Sequence, residues 1–290
     1  MKPVETDLQA LERRRPEWRP WLAVIEEVLT ETANRKWDAV VPFRSEKQHG
    51  KIPLLADAVV RVDDRVAGRL LDQLLRIACR SGSPKLATLE AARRADPLTL
   101  FEAALCRQSD RLEQAAALLY ADPEALQAIA ALVPIPFLHA CNRRWASLKS
   151  ESWMEGYCPV CGAWPTFAEV RGIERSRYFR CGRCGGEWQA QCLFCPYCGM
   201  TDHRELASLV PEKSGGSGVI DACNRCLGYV KTFTTLQGSP PAKVLLDDLA
   251  SVEFDIAAVE RGYTRPKGSG YPLNVSVTAN GTRHAPCPIQ

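Results

Sequence analysis

Four Cys-x-x-Cys pairs constrain this chain more than anything else in it: Cys158-Pro-Val-Cys161, Cys181-Gly-Arg-Cys184, Cys195-Pro-Tyr-Cys198 and Cys223-Asn-Arg-Cys226. Two intervening residues make a turn tight enough to aim both sulfurs at one point. Two such knuckles supply four thiolates in a tetrahedron, the donor set of a structural metal site. Glycine follows the second cysteine directly in the first three pairs and one residue late, as Gly228 after Leu227, in the fourth. A glycine there permits a left-handed backbone, which lets N–H groups approach the sulfurs. The late glycine predicts a looser last knuckle.

The gaps between successive pairs are 19, 10 and 24 residues. The two longer gaps suit a β-hairpin or three-stranded ribbon that returns one knuckle to another. The favoured pairing is therefore sequential: Cys158 and Cys161 with Cys181 and Cys184, then Cys195 and Cys198 with Cys223 and Cys226. Crossed and nested pairings stay open, since spacing alone does not exclude them. Four thiolates select zinc or iron, so two metal ions per chain are expected, one or the other. The Cys-Pro-x-Cys-Gly form belongs to zinc ribbons and rubredoxin-type iron sites alike. A closed four-sulfur shell leaves no position for water or substrate, so such a centre is structural or electron-carrying, not hydrolytic. A single pair would leave a thioredoxin-like dithiol equally open; four pairs with knuckle glycines favour metal.

The 13 cysteines in 290 residues are too sparse for a small secreted disulfide scaffold. The N-terminus MKPVETDLQALERRRPEW has no apolar signal core. The apolar stretch 125–140 is interrupted by Pro134 and Pro136 and is too short to span a bilayer. These features point to a reducing, cytoplasmic setting without membrane insertion. The net charge of +3 is too small to indicate a polyanionic partner.

Residues up to about 150 read as helical. Val66, Leu70, Leu71, Leu74, Leu75 and Ala78 share one helical face, and Asp122-Pro123-Glu124 is a helix start. The stretch 37–53, punctuated by Pro42, Gly50 and Pro53, reads as a long connection. From Trp153 the character changes to short β-type runs, at 166–170, 177–180, 187–193 and 229–235, between cysteine-rich turns. Residues 211–218, with three glycines, read as a hairpin tip or loop. The run 243–261 reads as a strand or loop and then a helix capped by Asp248, and the tail beyond Gly262 as an arm or a partly disordered segment. The fold class is α+β: an all-helical N-terminal domain (1–152), two tandem rubredoxin-like or zinc-ribbon modules (153–190 and 191–235), and a C-terminal helix with its tail (236–290).

The other candidates are weaker. Cys79, Cys106 and Cys141 fall in helical patterns and read as small core residues. Cys192 lies beside the third knuckle and could be a spare thiol; Cys287 stands in the tail. His49, His139, His203 and His284 are scattered. Arg171, Arg175, Arg177, Arg180 and Arg183 form a basic stripe, but residues 153–231 hold nine basic and eight acidic side chains, the balance of a solvated face and not of a phosphate-binding one. Asp247 and Asp248 are adjacent and so point apart, which argues against a shared catalytic site. There is no P-loop, dinucleotide fingerprint, GxSxG or HExxH.

The run CPVCG…RYFRCGRCGGEW…CLFCPYCG…DACNRCLGYVKT followed by DDLAS, within 157–251, resembles the formate dehydrogenase accessory proteins of the FdhE family. The resemblance implies a helical domain with two rubredoxin-like four-cysteine folds holding iron or zinc, all eight knuckle cysteines being present. It further implies a cytoplasmic, non-catalytic factor that docks on the catalytic subunit of formate dehydrogenase during its assembly. Sequence does not decide whether the chain also pairs as a homodimer. Trp164, Trp188 and Tyr197 are candidate docking anchors, with core packing the stronger alternative for Trp188. Two other readings compete: a rubredoxin-like electron carrier, and a nucleic-acid-binding zinc ribbon.

Overall fold

A computed structural model of the chain describes residues 3–210 and 218–280. The N-terminal part is helical, as expected. Helices α1 (Pro3–Arg14) and α2 (Arg19–Thr32) lead through an irregular stretch to a short strand, β1 (Val59–Val62). Then come α3 (Asp64–Cys79), the single turn α4 (Pro84–Ala87), α5 (Pro97–Leu105), α6 (Ser109–Leu119), α7 (Pro123–Leu132) and α8 (Ile135–Arg144).

The starts of these helices follow from side chains. Asp63 accepts a hydrogen bond from Arg65 N at the head of α3, Asp96 from Thr99 N at α5, and Asp122 from Ala125 N at α7, each at 2.9 Å. Pro97 and Pro123 occupy first-turn positions where a missing N–H costs nothing. α7 ends before Pro134, as the sequence predicts, and α8 carries Phe137 and Leu138 into the core. By length and composition the segment Pro123–Arg144 could cross a membrane, but 72% of its most apolar window is buried inside the protein. Trp37, Phe101 and Phe137 form the centre of this core, with ring centroids 6.2 and 5.9 Å apart. Truncating any of them to alanine would cost about 3–5 kcal/mol.

The second half is built on one six-stranded sheet. β2 (Phe167–Arg171), β3 (Ser176–Arg180) and β4 (Glu187–Ala190) form one antiparallel meander. β5 (Leu206–Leu209), β6 (Gly218–Cys223) and β7 (Tyr229–Thr235) form a second. The meanders join through a parallel pairing of β2 with β7, Phe167 opposite Lys231 and Arg171 opposite Thr235, giving the order β4-β3-β2-β7-β6-β5. The two tandem ribbons thus share a sheet. Helices α9 (Val244–Ala250) and α10 (Val252–Glu260) follow, and the chain returns to the helical half as β8 (Ser276–Ala279), parallel to β1.

That last pairing was not visible in the sequence, where β1 lies inside a helical region. Its anchors are long-range: Val277 N donates to Glu102 Oε2 at 2.8 Å and Asn280 N to the Val62 carbonyl at 3.0 Å. The arm expected beyond Gly262 is real as far as residue 280. The expected loop at 211–218 lies outside the described residues except for Gly218, which opens β6, and Cys287 and His284 also lie outside them.

The helix expected to be capped by Asp248 is two helices that break at Ser251. Asp248 lies inside α9, and its carboxylate pairs with Lys231 at 2.6 Å and Arg265 at 3.0 Å. Lys231 is fully buried, and an interior ammonium must be met by carboxylates, a stronger demand than capping a helix. Asp255 completes the cluster, 2.9 Å from Lys231 and 2.7 Å from Arg265. Asp247 turns toward Ser239 and Lys243, so the neighbouring carboxylates do diverge.

Candidate metal centres

Each Cys-x-x-Cys pair closes in the same way. The first cysteine's carbonyl accepts from the N–H of the residue after the second cysteine: Gly162 to Cys158, Gly185 to Cys181 and Leu227 to Cys223 at 2.9 Å, and Gly199 to Cys195 at 3.0 Å. The first cysteine's N–H donates to the carbonyl five residues on: Cys158 to Ala163, Cys181 to Gly186, Cys195 to Met200 and Cys223 to Gly228, at 2.8 to 2.9 Å. The closing residue takes a left-handed φ of +66° at Gly162, +68° at Gly185, +73° at Gly199 and +56° at Leu227. The last knuckle is therefore not looser than the others. Leucine adopts the glycine conformation, while Gly228 serves another need, since a Cβ there would lie 2.4 Å from the Tyr197 ring.

The knuckles meet in two groups, Cys158, Cys161, Cys181 and Cys184, and Cys195, Cys198, Cys223 and Cys226, the sulfurs of each within 4.8 Å of one another. Cys158 and Cys184 are 3.5 Å apart, as are Cys161 and Cys181. In the second group Cys195 and Cys226 are 3.6 Å apart and Cys198 and Cys223 3.7 Å. A tetrahedron with metal–sulfur bonds near 2.3 Å has sulfur–sulfur edges of about 3.8 Å, whereas a disulfide needs about 2.05 Å. The spacing and the all-sulfur donor set fit one zinc or iron ion in each group.

The first group lies at the junction of the whole molecule. Its four cysteines are fully buried and share a core with the N-terminal helices. Leu54 N donates to the Pro159 carbonyl at 2.8 Å and Leu55 N to the Val160 carbonyl at 3.0 Å, so the long connection before β1 clasps the first knuckle. Tyr271 N, from the C-terminal arm, donates to the Gly162 carbonyl at 2.9 Å. Arg183, in the second knuckle, donates to the Ala104 carbonyl at 2.9 Å at the C-terminal end of α5. A Cβ on Gly185 would lie 2.7 Å from Pro241 and 2.8 Å from His139 Cε1. Burial pushes the Cys158 thiol well above its ordinary range, and the neighbouring sulfurs push Cys184 up, while their S–H groups drive Cys161 down. Such a group can ionise fully only around a cation.

The second group is half open. Cys195 and Cys223 are buried, but Cys198 and Cys226 are exposed. Burial raises the Cys195 thiol against the opposing N–H groups of Cys198 and Tyr197. At Cys223 burial again opposes ionisation, but the N–H groups of Cys226 and Arg225 outweigh it and hold the thiol below its ordinary value. Burial pushes Cys226 up to about 11.

The three aromatic anchor candidates are packed. Trp188 is buried, its Nε1 donating to the Glu155 carbonyl at 3.0 Å. Trp164 and Tyr197 are half-buried and meet edge to face at 5.3 Å, bridging the two centres. The exposed apolar groups beside the second centre are Leu193, which the sequence reading passed over, and Leu227, which it named only as a departure from the knuckle pattern. The signal was present in Leu227, a bulky side chain where three other knuckles carry glycine.

The basic stripe is also largely internal and does not form a solvated face. Arg180 and Glu169 are both buried and 2.8 Å apart, Arg171 pairs with Glu169 and lies 2.6 Å from Glu187, and buried Arg177 is 3.0 Å from Asp221. Charge balance along the sequence came from pairing across strands. Of the spare thiols, Cys141 is buried in the core, Cys79 and Cys106 are partly buried, and Cys192 is exposed. His203 lies at the surface.

No family model matches the chain. Among known sequences, the "Protein FdhE homolog" of Pseudomonas aeruginosa is 30% identical over 238 residues, spanning 77% of this chain and 72% of that protein. The homologue from Stutzerimonas stutzeri is 28% identical over 222 residues, 75% of this chain and 69% of the other. "Protein FdhE" of Escherichia coli O127:H6 is 30% identical over 111 residues, 38% of this chain and 35% of that protein. Among solved structures, the crystal structure of the FdhE protein from Pseudomonas aeruginosa superposes with a TM-score of 0.60 over 93% of this chain and 94% of that one, at 22% identity. The fold is therefore shared across nearly the full length.

Proposed function

The chain belongs to the FdhE family, and on that premise we propose that it is a non-catalytic accessory factor for the assembly or maturation of formate dehydrogenase, acting in the cytoplasm by docking on the catalytic subunit. The observation that carries this reading is the closure of both centres. Four sulfurs converge in each, with edges of 3.5 to 3.7 Å between the closest pairs. A four-coordinate ion held there has no position left for a substrate.

In this reading Cys158, Cys161, Cys181 and Cys184 hold one ion and Cys195, Cys198, Cys223 and Cys226 the other. Bound zinc or iron would supply cross-linking of the knuckles, and iron would add one-electron chemistry. The chain's own part is to present a rigid surface, in which the helical part (1–152), the ribbons (153–190 and 191–235) and the C-terminal segment (236–290) are fastened together at the first centre. The test is co-purification of the full chain with the catalytic subunit. Binding to the immature or the mature subunit is expected; failure to bind either overturns the proposal.

A second reading draws on the exposure of Cys198 and Cys226, which brings the second centre to the surface as an electron carrier requires. Iron in the freshly isolated protein, with an absorbance band that bleaches and returns on reduction and reoxidation, would favour that reading. Zinc at the second centre would remove it.

A further inference from the structure

A fifth cysteine stands close in sequence to the second centre. Cys192 stands three residues before Cys195, so Cys192, Cys195 and Cys198 repeat the Cys-x-x-Cys spacing twice in succession. The other knuckles have no counterpart: the equivalent residues are Glu155, Tyr178 and Ile220.

The segment joining Cys192 to Cys195 is curled. One guanidinium nitrogen of Arg177, Nη1, donates to the carbonyls of Gln191, Cys192 and Phe194 at 3.3, 3.2 and 3.0 Å. Three carbonyls within four residues can converge on one atom only if the chain wraps around it. A disulfide between residues three apart needs a turn that brings their Cα atoms to about 4.4–6.8 Å, and a curled segment is the backbone shape that requirement calls for.

Cys192 and Cys195 line the same cavity, about 80 Å³ in volume, together with Arg177, Asp221 and Tyr229. Arg177 is 4% exposed, and its Nε finds no hydrogen-bond partner among the described residues. Burial holds the Arg177 pKa down, while Asp221, Cys192 and Cys195 work against it. Cys192 is itself exposed, and so is the adjoining ligand pair member Cys198, whereas all four sulfurs of the first group are buried.

We propose that Cys192 is a redox-active auxiliary thiol of the second centre: oxidised by a peroxide, it forms a disulfide with Cys195, removes that sulfur from the ligand set and releases the ion there. The proposal rests on the metal-binding reading of that centre. The Cys192 sulfur attacks the peroxide O–O bond, giving a sulfenic acid and one water. The Cys195 thiolate then attacks the Cys192 sulfur, forming the S–S bond, and the hydroxide leaving from sulfur takes up a proton as the second water. Two electrons pass from the two sulfurs to hydrogen peroxide.

The test uses the full chain purified with both ions, their number measured before oxidation. A chain lacking the second ion overturns the metal-binding reading itself, separately from the role of Cys192. Hydrogen peroxide is added in small excess, ion release is followed with a chromogenic chelator, and disulfides are mapped by mass spectrometry. One ion per chain is expected to leave, together with a Cys192–Cys195 disulfide, while the other ion stays. Cys192→Ser, and Cys192→Ala as a second surface variant, should slow release by about fivefold or more, as expected when the exposed attacking thiol is removed. Equal release rates in the wild type and both variants, or disulfides confined to the four ligand cysteines, would overturn the proposal.

Discussion

Leu227 donates its backbone N–H to the Cys223 carbonyl at 2.9 Å from a left-handed conformation with φ of +56°. In the other three knuckles this is done by glycine. A leucine in that region is strained by roughly 1–2 kcal/mol, and its side chain is half exposed, so burial returns little. Leu227→Gly should relieve the strain at the cost of a more flexible unfolded chain, leaving a net gain of about 0.5–1 kcal/mol. The check is competition with a chelator, in which the variant should retain the second ion a few-fold more tightly than the parent.

The two centres differ in what surrounds them, so their loss should differ in consequence. The first is clasped by Leu54, Leu55, Arg183 and Tyr271 and is continuous with the helical core. The second has two exposed sulfurs and is braced by Trp164 against Tyr197 and by Thr264 N, which donates to the Leu227 carbonyl at 2.8 Å. Cys161→Ser should abolish cooperative unfolding of the whole chain, followed by circular dichroism, with a cost above about 4 kcal/mol, as for loss of a buried metal site. Cys198→Ser should leave the helical transition within about 1 kcal/mol of the parent.

The knuckles were legible because their chemistry is local: residue type, a spacing of two and a following glycine fix the turn. The helix starts at Asp96-Pro97 and Asp122-Pro123 were legible for the same reason. What the sequence did not show depends on partners distant along the chain. β1 and β8 pair across more than 200 residues, and neither strand has a neighbour in sequence that would announce it. Arg177 and Arg180 read as surface charges until Asp221 and Glu169 arrive from other strands. Asp248 reads as a cap until Lys231 is brought beneath it. Spacing favoured the sequential pairing of knuckles, yet the exposure that separates the second centre from the first is set by the packing of the helical half.

Lys231 is fully buried on β7 and holds α9 and α10 through Asp248 and Asp255. Its removal would leave Asp248 and Asp255 with Arg265 as their shared cation and with the Tyr229 hydroxyl on Asp255 at 2.8 Å. Lys231→Ala should therefore destabilise the protein by about 3 kcal/mol, as for breaking a buried ion pair from one side. Lys231→Met keeps the packing of the aliphatic stem but not the charge, and should recover less than half of that loss. Urea midpoints of the two variants separate charge from packing.

Glu169 gives the stability a specific acid limb. Burial alone would raise its carboxyl, but the Ser239 N–H at 2.9 Å and the Arg180 guanidinium at 2.8 Å outweigh burial and hold it below the ordinary glutamate value. A carboxyl whose pKa is lower in the folded than in the unfolded state adds stability while ionised in both, and that contribution is lost as the solution is acidified. The unfolded chain takes up its proton first, near pH 4.5, and the folded chain only at lower pH. The contribution of Glu169 should thus be constant above about pH 5.5 and decline below the unfolded value until the folded carboxyl is protonated. Glu169→Gln removes the titration and leaves Arg180 without its carboxylate. The variant should be less stable at pH 7, and its deficit against the parent should shrink as pH falls below 4.5. Denaturant unfolding of both proteins across pH 3 to 7 measures that difference, and a deficit that stays constant with pH would place the acid sensitivity elsewhere.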